Sequence, residues 1–360
     1  MNIAVLGYGT VGKSVCEILS GTQTDLTVAA ILRRPGSYTD QRMTSDFEKI
    51  LADPSISAVV DVLPGTEPSL SLMRRALCAG KHVVTANKAA LCASFSELWA
   101  LASEHNVSLR FEASCGGTLP IIEEAFRLSA LDPITEVSGI LNGTCNYILW
   151  QMEQNGWDFA DALHAAQERG FAEADPTADI SGTDVRNKAV ILASTTFCGF
   201  VSRELPVCGI AHISKEKLDA FAEEGKCLRL MMLARRNGNA YAAGVVPVVL
   251  PKTALEAHVP EQYNLASLTG AYSGELKFYG QGAGGHATAD AVIRDLLAIE
   301  RGEKLPAAHF SKALQYDASL LCRRGYLGSR ILPHVSLEEL CKKAAEAGVF
   351  AAFEPNPAKV

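Results

Sequence analysis

Two features that direct a protein to or through a membrane are missing from this sequence. No apolar run reaches the roughly 18–20 residues that a membrane-spanning helix needs. No basic-then-apolar leader precedes the first predicted strand, which begins at Asn2. We therefore expect a soluble, cytoplasmic protein.

The ten cysteines are scattered along the chain and never form a C-x-x-C pair. Neither a zinc site nor a dithiol redox motif of the usual spacing is therefore indicated. Cys78, Cys198 and Cys341 lie in apolar or glycine-rich stretches, which is typical of reduced thiols in the cytosol.

Basic residues are outnumbered, with 33 Lys and Arg against 40 Asp and Glu, so the net charge is −7. The basic clusters are mere pairs such as Arg33-Arg34 and Arg323-Arg324, which argues against nucleic acid or an anionic membrane as the main partner. A hydrophobic fraction of 48% over 360 residues indicates a substantial core and more than one domain.

The first third of the chain alternates short apolar runs with helical patterns. Helices are predicted over 68–80 and 94–106, and another follows the first strand. Strands are predicted at 2–7, 27–32, 58–63, 82–87 and 108–113. This alternation predicts an α/β fold of the Rossmann type, a doubly wound parallel sheet with helices on both faces.

The pattern changes after about residue 130, where a second α/β domain is predicted. It contains EVSGILNGT, a helix ending near Trp150, the helix DFADALHAAQERG and the segment 179–198. We expect a nucleotide-binding domain at 1–130 and a catalytic, substrate-binding and dimerisation domain at 131–282. A helix at 283–305 would return toward the nucleotide domain, and the extension 306–360 has no assigned role.

The stretch Gly7-Tyr8-Gly9-Thr10-Val11-Gly12 is a G-x-G-x-x-G motif between the first strand and its helix. In a dinucleotide-binding site the glycines allow a tight turn, close approach of a pyrophosphate, and tight packing of helix on strand. The N-terminus of the helix would then attract the phosphates. A merely tight turn is the alternative, and the position at the start of a β/α unit favours the dinucleotide.

The end of the second predicted strand indicates which dinucleotide binds. An NAD-preferring fold usually has an acid there for the ribose hydroxyls, whereas this chain has Arg33-Arg34. Guanidinium groups suit a 2′-phosphate, which favours NADP over NAD. Two solvated arginines at a strand end are the alternative.

A second glycine motif, GQGAGG at 280–285, also lies between a predicted strand and a helix. No further βαβ unit follows it, so a second nucleotide domain is not predicted. The loop either packs close to cofactor or substrate, or only joins strand to helix.

The stretch DISGTDVRNK (179–188) leads directly into the uncharged run AVILASTTF. On a helix Asp184 and Lys188 share a face, so they could form an ordinary surface ion pair. Alternatively, Lys188 is a proton donor at the head of a core helix, with its pKa lowered by burial and by a second cation such as Lys88. Glu173 and Asp184 would then anchor a positively charged substrate group, although each acid alone is typical of a solvated carboxylate.

With these residues in hand, the sequence resembles homoserine dehydrogenases over roughly residues 1–300. The most specific block is GILNGTCNYIL (139–149). The other blocks, in the family's order, are GTEPS (65–69), TANKA (85–89), FEASCGGTLPII (111–122), GFAEADPTADISGTDVRNKAVILA (170–193) and GQGAGGHAT (280–288).

The resemblance implies NAD(P)-dependent interconversion of L-aspartate 4-semialdehyde and L-homoserine, in the pathway to threonine, methionine and isoleucine, by a homodimer. It implies that Lys188 is the proton donor and that Glu173 and Asp184 hold the substrate. Lys88 would lie beside the cofactor and the reacting oxygen. The further implied cofactor residues are Gly65, Thr66, Gly170, Glu173 and Gly282.

Family resemblance also implies a monovalent cation, usually sodium, bound by backbone carbonyls. The matching residues are Glu112, Cys115, Gly117 and Leu119. A structural loop that binds no ion is the alternative.

The chain departs from the family pattern at several points. Cys145 stands where threonine is commoner, and HVPEQYNLA (258–266) replaces a run of small residues before Asn264. Neither an aspartokinase segment nor a C-terminal regulatory domain is expected. A related dehydrogenase for another small semialdehyde or hydroxy acid, and a non-catalytic NADP-responsive protein, are the alternative functions.

Overall fold

A computed structural model describes residues 1–36 and 38–354 of the chain, apart from the side chains of 307 and 308. The chain forms two compact units. One contains Met1–Phe126 and Ala283–Phe310, and the other contains Arg127–Gly282 and the described residues from Ser311 onward. Among the described residues, no helix is long and apolar enough to cross a membrane.

The first unit contains a parallel sheet of six strands. The strands are β1 (Asn2–Leu6), β2 (Thr27–Leu32), β3 (Met43–Thr44), β4 (Ile56–Asp61), β5 (His82–Thr85) and β6 (Leu109–Arg110). Their order is β3-β2-β1-β4-β5-β6, and every pairing is parallel. This is the strand order of a Rossmann fold, so the predicted fold class is confirmed.

The helices of this unit are α1 (Thr10–Gly21), α2 (Phe47–Ala52), α3 (Ser69–Cys78), α4 (Lys88–Ala93), α5 (Phe95–Glu104) and α12 (Gly285–Glu300), while α6 (Ile121–Ser129) crosses into the second unit. Ile3, Val5, Val60 and Val84 of the sheet pack in one apolar cluster with Val292 of α12. Parallel strands that are covered by helices on both faces have continuous apolar sequences, and this is why they could be predicted from the sequence.

The predicted strand at 108–113 is wrong beyond Arg110. A 3₁₀ turn at Glu112–Ser114 follows β6 directly. The backbone N–H of Glu112 donates to the Asp295 carboxylate at 2.9 Å instead of joining a ladder, and the buried Arg110 guanidinium donates to the Glu303 carbonyl at 2.7 Å. Side chains and backbone far along the chain therefore end this strand, and sequence periodicity carries no sign of them.

The second unit contains a mixed sheet of nine strands. They are β7 (Ile134–Ile140), β8 (Lys226–Asn237), β9 (Ala240–Pro251), β10 (Tyr263–Gly270), β11 (Gly274–Gln281), β12 (Gln315–Tyr316), β13 (Cys322–Leu327), β14 (Arg330–Ser336) and β15 (Ala351–Phe353). Eight follow the order β11-β10-β7-β8-β9-β15-β13-β14, and β12 pairs with β9. Neighbours are antiparallel except that β9 is parallel to β15 and to β12.

The helices of the second unit are α7 (Gly143–Asn155), α8 (Phe159–Glu168), α9 (Thr177–Ile180), α10 (Thr183–Phe197), α11 (Lys215–Glu223) and α13 (Leu337–Ala347). The prediction that a helix ends near Trp150 is wrong. That helix, α7, runs on to Asn155 and stops at Gly156, whose φ of 67° is a left-handed C-terminal cap.

The segment after residue 310, which the sequence left without a role, belongs to the core of the second unit. Leu337, Leu340 and Cys341 of α13 share one apolar cluster with Val246 and Val248 of β9. The C-terminal strands and α13 therefore complete the second sheet. Cys78, expected among apolar neighbours, is exposed at the end of α3.

Candidate active site

The first glycine motif has the geometry of a dinucleotide-binding turn. Gly7 has a φ of 109°, which only glycine adopts readily. A Cβ atom at Gly12 would lie 2.1 Å from the Gly7 carbonyl oxygen, so α1 packs tightly on this turn. A Cβ at Gly9 would meet no atom of the described residues within 4 Å. The protein itself thus leaves room above Gly9, as a pyrophosphate at the head of α1 requires.

The two arginines after β2 differ in their surroundings. Arg33 is partly buried, its backbone N–H donates to Thr44, and its Nη1 lies 3.6 Å from the Met43 sulfur. Arg34 is exposed. The next acid along the chain, Asp40, is bound by Arg42 at 2.5 Å. Arg33 and Arg34 are thus the charged side chains that directly follow β2, and the next acid is already paired.

Lys88 begins α4, and Asn87 fixes the backbone around it. The Asn87 amide donates to the carbonyls of Leu63 at 2.9 Å and Gly65 at 2.6 Å, and it accepts a bond from the Ala90 N–H at 3.0 Å. Asn87 thus caps α4 and holds the GTEPS loop, where Thr66 is exposed. Lys88 was predicted at this site from the sequence and Asn87 was not, although asparagine before a helix is a capping signal.

Two glycines of the second glycine motif are tightly packed against neighbouring side chains. Gly285 packs on α1, where an added Cβ would lie 2.8 Å from Ser14 and 2.9 Å from Thr10. In the second unit, a Cβ at Gly282 would overlap the Asn264 side chain at 2.2 Å. Both glycines are required by close packing.

Lys188 lies in the second unit, at the polar head of α10. Its Nζ atom is 2.7 Å from Asp184 Oδ2 and 2.6 Å from the Leu141 carbonyl oxygen. The two side chains are only 12% and 11% exposed. The alternative of an ordinary surface ion pair is therefore wrong. Gly182 starts this helix with a φ of 84°, and a Cβ there would press on Val207 at 2.9 Å.

Asn142 joins Lys188 and Asp184 to a second acid. Its Nδ2 donates to Asp184 at 2.9 Å and to Asp179 at 2.6 Å, while its Oδ1 accepts from the Cys145 N–H and caps α7. Asp179, Asp184 and Lys188 carry a net charge of −1 when all are ionised. The cluster is therefore suited to a ligand that bears an ammonium group.

Cys145, one of the departures from the family pattern, lies against this cluster. Its Sγ is 3.2 Å from the Asp179 carbonyl oxygen. Burial, followed by the charges of Asp179 and Asp184, raises the pKa of the Cys145 thiol well above its usual value. Cys145 is therefore a neutral packing residue here.

Two family models match this chain. The model for homoserine dehydrogenase matches residues 120–297, and the model for the homoserine dehydrogenase NAD-binding domain matches residues 7–112. The homoserine dehydrogenase of Synechocystis sp. is 38% identical over 317 residues, which cover 83% of this chain and 73% of that protein. The chain belongs to the homoserine dehydrogenase family.

Other homoserine dehydrogenases match this chain over most of their length. The homoserine dehydrogenase of Mycobacterium bovis is 34% identical and covers 98% of this chain and 83% of its own. A crystal structure of a homoserine dehydrogenase from Thiobacillus denitrificans has a TM-score of 0.84 at 30% identity, covering 90% of this chain and 81% of its own. The predicted function is thus confirmed: this is an NAD(P)-dependent oxidoreductase with homoserine dehydrogenase activity.

Glu173, the second predicted substrate acid, is exposed, unlike Lys188 and Asp184. Its side chain is exposed in the loop after α8, and its backbone carbonyl accepts from Gln167 Nε2 at 3.2 Å. It takes no part in the described hydrogen bonds that join Lys188, Asp184 and Asn142. Besides Asn87, sequence reasoning missed Asn142 and Asp179. Asn142 stands before a Gly-Thr pair inside the family's signature, which is a detectable capping signal.

The loop predicted to bind a cation, residues 112–119, contains two successive left-handed glycines, Gly116 (φ 81°) and Gly117 (φ 65°). The Glu112 carbonyl accepts from the Cys115 N–H at 3.2 Å, and the Glu112 carboxylate accepts from Glu123 N–H at the head of α6. No group of three His, Cys, Asp or Glu side chains suited to a metal occurs in the described part of the chain. Any ion held by this loop would therefore depend on backbone oxygens.

Proposed function

We propose that Lys188 transfers the proton in the reversible conversion of L-aspartate 4-semialdehyde to L-homoserine. The observation that carries this proposal is the hydrogen bonding of Lys188 Nζ to Asp184 and to the Leu141 carbonyl in a largely buried cluster. An ammonium has three hydrogens, and two of them are used by these bonds. The third is left for the oxygen of a substrate.

A nicotinamide cofactor, when bound, would supply the hydride in the reducing direction and accept it in the oxidising direction. Lys188 gives its third proton to the aldehyde oxygen as negative charge grows there. In the oxidising direction the neutral amine takes the proton of the homoserine hydroxyl. Asp184 and the Leu141 carbonyl hold the nitrogen in place during both transfers.

Carboxylates bind the substrate ammonium in this proposal. Asp184 and Glu173 have that role, and Asp179 adds negative charge to the same cluster through Asn142. Lys88, at the first turn of a helix whose start is capped by Asn87, provides a second catalytic positive charge.

The cofactor residues of the proposal begin with the motif Gly7, Tyr8, Gly9, Thr10, Val11 and Gly12, supported by the open space at Gly9. Arg33 and Arg34 would bind the 2′-phosphate, which makes NADP the preferred cofactor over NAD. The further contacts proposed are Gly65, Thr66, Lys88, Gly170, Glu173 and Gly282.

The proposal includes a sodium ion bound by the backbone carbonyls of Glu112, Cys115, Gly117 and Leu119. Support comes from the two left-handed glycines of this loop, which fold the chain into a tight turn and so bring its backbone groups close together. Oxygen ligands of this kind suit a hard cation.

We also propose a homodimer in the cytoplasm, assembled through the second unit. The strand β11 ends the second sheet, and the exposed Tyr272 and Tyr279 belong to this edge. Exposed aromatic surface on an edge strand favours a partner. The ten cysteines are all thiols, which suits a reducing compartment. In this proposal residues 1–130 bind the nucleotide, 131–282 bind substrate and partner, and 283–305 return to the nucleotide domain.

Initial rates with L-homoserine and each oxidised cofactor in turn test the proposal. We expect kcat/KM with NADP to exceed that with NAD at least tenfold. Equal values would contradict the assignment of Arg33 and Arg34, and a lack of turnover with both cofactors would contradict the substrate assignment.

A further inference from the structure

Two buried cysteines that lie far apart in sequence meet inside the second unit. The Sγ atoms of Cys208 and Cys341 are 2.8 Å apart, although 133 positions separate the residues. A disulfide bond is about 2.05 Å long, so the two sulfurs need to approach by less than about 1 Å. Both side chains belong to the same apolar cluster.

Small molecules can reach this pair. A pocket of about 260 Å³ is lined by both Cys208 and Cys341, and the exposed residues His212, Ala345 and Gly348 also line it. A water molecule occupies about 30 Å³ in the liquid, so the pocket admits a peroxide or part of a small disulfide. Cys208 and Cys341 are 8% and 5% exposed, so an oxidant that enters the pocket can contact them.

We propose that Cys208 and Cys341 form a reversible intrachain disulfide when the protein meets a peroxide or a low-molecular-mass disulfide. The bond would attach α13 to the loop 206–210. In a reducing cytosol the pair is a dithiol, and the bridge forms when the oxidant concentration rises.

The chemistry with hydrogen peroxide balances in two steps. One sulfur, for example that of Cys208, loses its proton and attacks one peroxide oxygen, the O–O bond breaks, and the departing hydroxide takes that proton, giving a sulfenic acid and water. The Cys341 sulfur then attacks the Cys208 sulfur, the S–O bond breaks, and the hydroxyl leaves as water with the Cys341 proton. Two thiols lose two electrons and one peroxide becomes two waters.

The second thiol is placed to resolve whichever sulfur is oxidised first. The two Sγ atoms are 2.8 Å apart, so a sulfenic acid formed at one of them is captured by the other before further oxidation.

The loop that would be bridged packs against the turn before α10. The Ile210 N–H donates to the Ile180 carbonyl at 2.8 Å, and a Cβ at Gly209 would overlap that same carbonyl oxygen at 2.1 Å. The turn carries Asp179, so the bridge would brace the backbone behind the substrate acids. That last consequence rests on the proposed function, whereas formation of the disulfide does not.

Peptide mapping of the oxidised full-length protein tests the disulfide independently of activity. The protein is treated with one equivalent of hydrogen peroxide or with oxidised glutathione, remaining thiols are alkylated, and the chain is digested with trypsin. We expect peptides 204–215 and 331–342 to be recovered as one cross-linked species that dithiothreitol separates. Closing a loop of this length should also raise the melting temperature by about 5 °C or more.

Variants separate this bridge from general thiol oxidation. Cys208→Ser and Cys341→Ser should each lose the cross-link and the rise in melting temperature. Cys227→Ser, at a buried cysteine of the same apolar cluster, should keep both. Recovery of Cys208 and Cys341 as alkylated thiols or sulfinic acids in the oxidised wild-type protein would overturn the proposal, as would a cross-link to any other cysteine.

Discussion

Asp184 Oδ2 lies 2.7 Å from Lys188 Nζ, one helical turn away on α10. The chain contains a second lysine–aspartate pair with the same spacing, Lys215–Asp219 on α11. The side chains of that pair are 36% and 56% exposed, against 12% and 11% at Lys188 and Asp184. The four-residue spacing therefore produces both ion pairs. Only the Asp184–Lys188 pair is also largely buried and hydrogen-bonded to the Leu141 carbonyl, and this makes it the candidate for catalysis.

The first prediction concerns the charge of Asp184. Asp184→Asn keeps an oxygen beside Lys188 but removes the negative charge that holds the lysine and the substrate ammonium. Charged hydrogen bonds contribute about 1.5–3 kcal/mol, so kcat/KM for homoserine should fall about 10- to 100-fold. Steady-state kinetics measure this fall. Asp219→Asn is the matched control and should leave kcat/KM unchanged, so an equal loss in both variants would contradict the assignment.

The glycine loop allows a prediction with an internal control. Gly9→Ala places a methyl group where no described atom lies within 4 Å, whereas Gly12→Ala places one 2.1 Å from the Gly7 oxygen. We expect Gly9→Ala to keep the wild-type melting temperature within about 2 °C and to weaken cofactor binding at least tenfold. Gly12→Ala should lower the melting temperature markedly.

Thermal melting and titration with NADPH distinguish the two glycine variants. Wild-type NADPH affinity in Gly9→Ala would show that no pyrophosphate approaches this position.

Discrimination between cofactors is predicted to depend on Arg34. Arg34→Ala should raise the KM for NADP about 10- to 100-fold, the range for a lost charge-assisted hydrogen bond, and leave the KM for NAD nearly unchanged. Arg301→Ala removes another exposed arginine of the same unit and serves as the control. A parallel rise in both KM values would mean that Arg34 supports the fold rather than the 2′-phosphate.

The buried carboxyl group of Asp61 should make the stability of the folded protein depend on pH. It is fully buried at the end of β4, where the hydroxyls of Ser69 and Thr85 donate to it at 2.5 and 2.9 Å. Burial raises the pKa of the Asp61 carboxyl above its usual value of about 3.9 in spite of these donors. The folded state therefore favours the protonated form. Its contribution to stability is complete below about pH 4 and is lost as the pH rises through the folded pKa.

Asp61→Asn has a side chain of the same shape that does not titrate. The difference in unfolding free energy, variant minus wild type, should therefore increase from pH 4.5 upward until it levels off. Urea denaturation at several pH values measures this difference. A difference that stays constant with pH would contradict the raised pKa.

Prediction from the sequence was most accurate where local sequence patterns determine the structure. The parallel strands β1, β2, β4 and β5 are buried apolar runs, and the glycines between β1 and α1 have a sterically fixed spacing. Helix α10 could be predicted for the same reason. Gly182 marks its start, and the uncharged run after Lys188 indicates that it is buried. At the site, Lys188 and Asp184 were identified from spacing together with the resemblance.

What the sequence did not reveal depends on contacts between distant segments. Strands β8 and β9 are long, largely apolar runs whose periodicity does not distinguish strand from helix, and only the Gly238-Asn239 turn between them indicates a hairpin. The strands β12–β15 are short and gain stability from pairing with one another and with β9. The bond between Asn142 and Asp179 joins residues 37 positions apart and has no local signature.

The central claim is that Lys188 moves the proton in homoserine oxidation. The most direct measurement is the initial rate of homoserine-dependent NADP reduction by Lys188→Ala, together with the dissociation constant for NADPH. We expect the rate to fall at least 1,000-fold, within the range for loss of a general acid–base group, while NADPH binding changes less than threefold. Lys215→Ala, from the exposed pair on α11, should retain full activity. A Lys188→Ala enzyme that turns over homoserine at the wild-type rate would contradict the account.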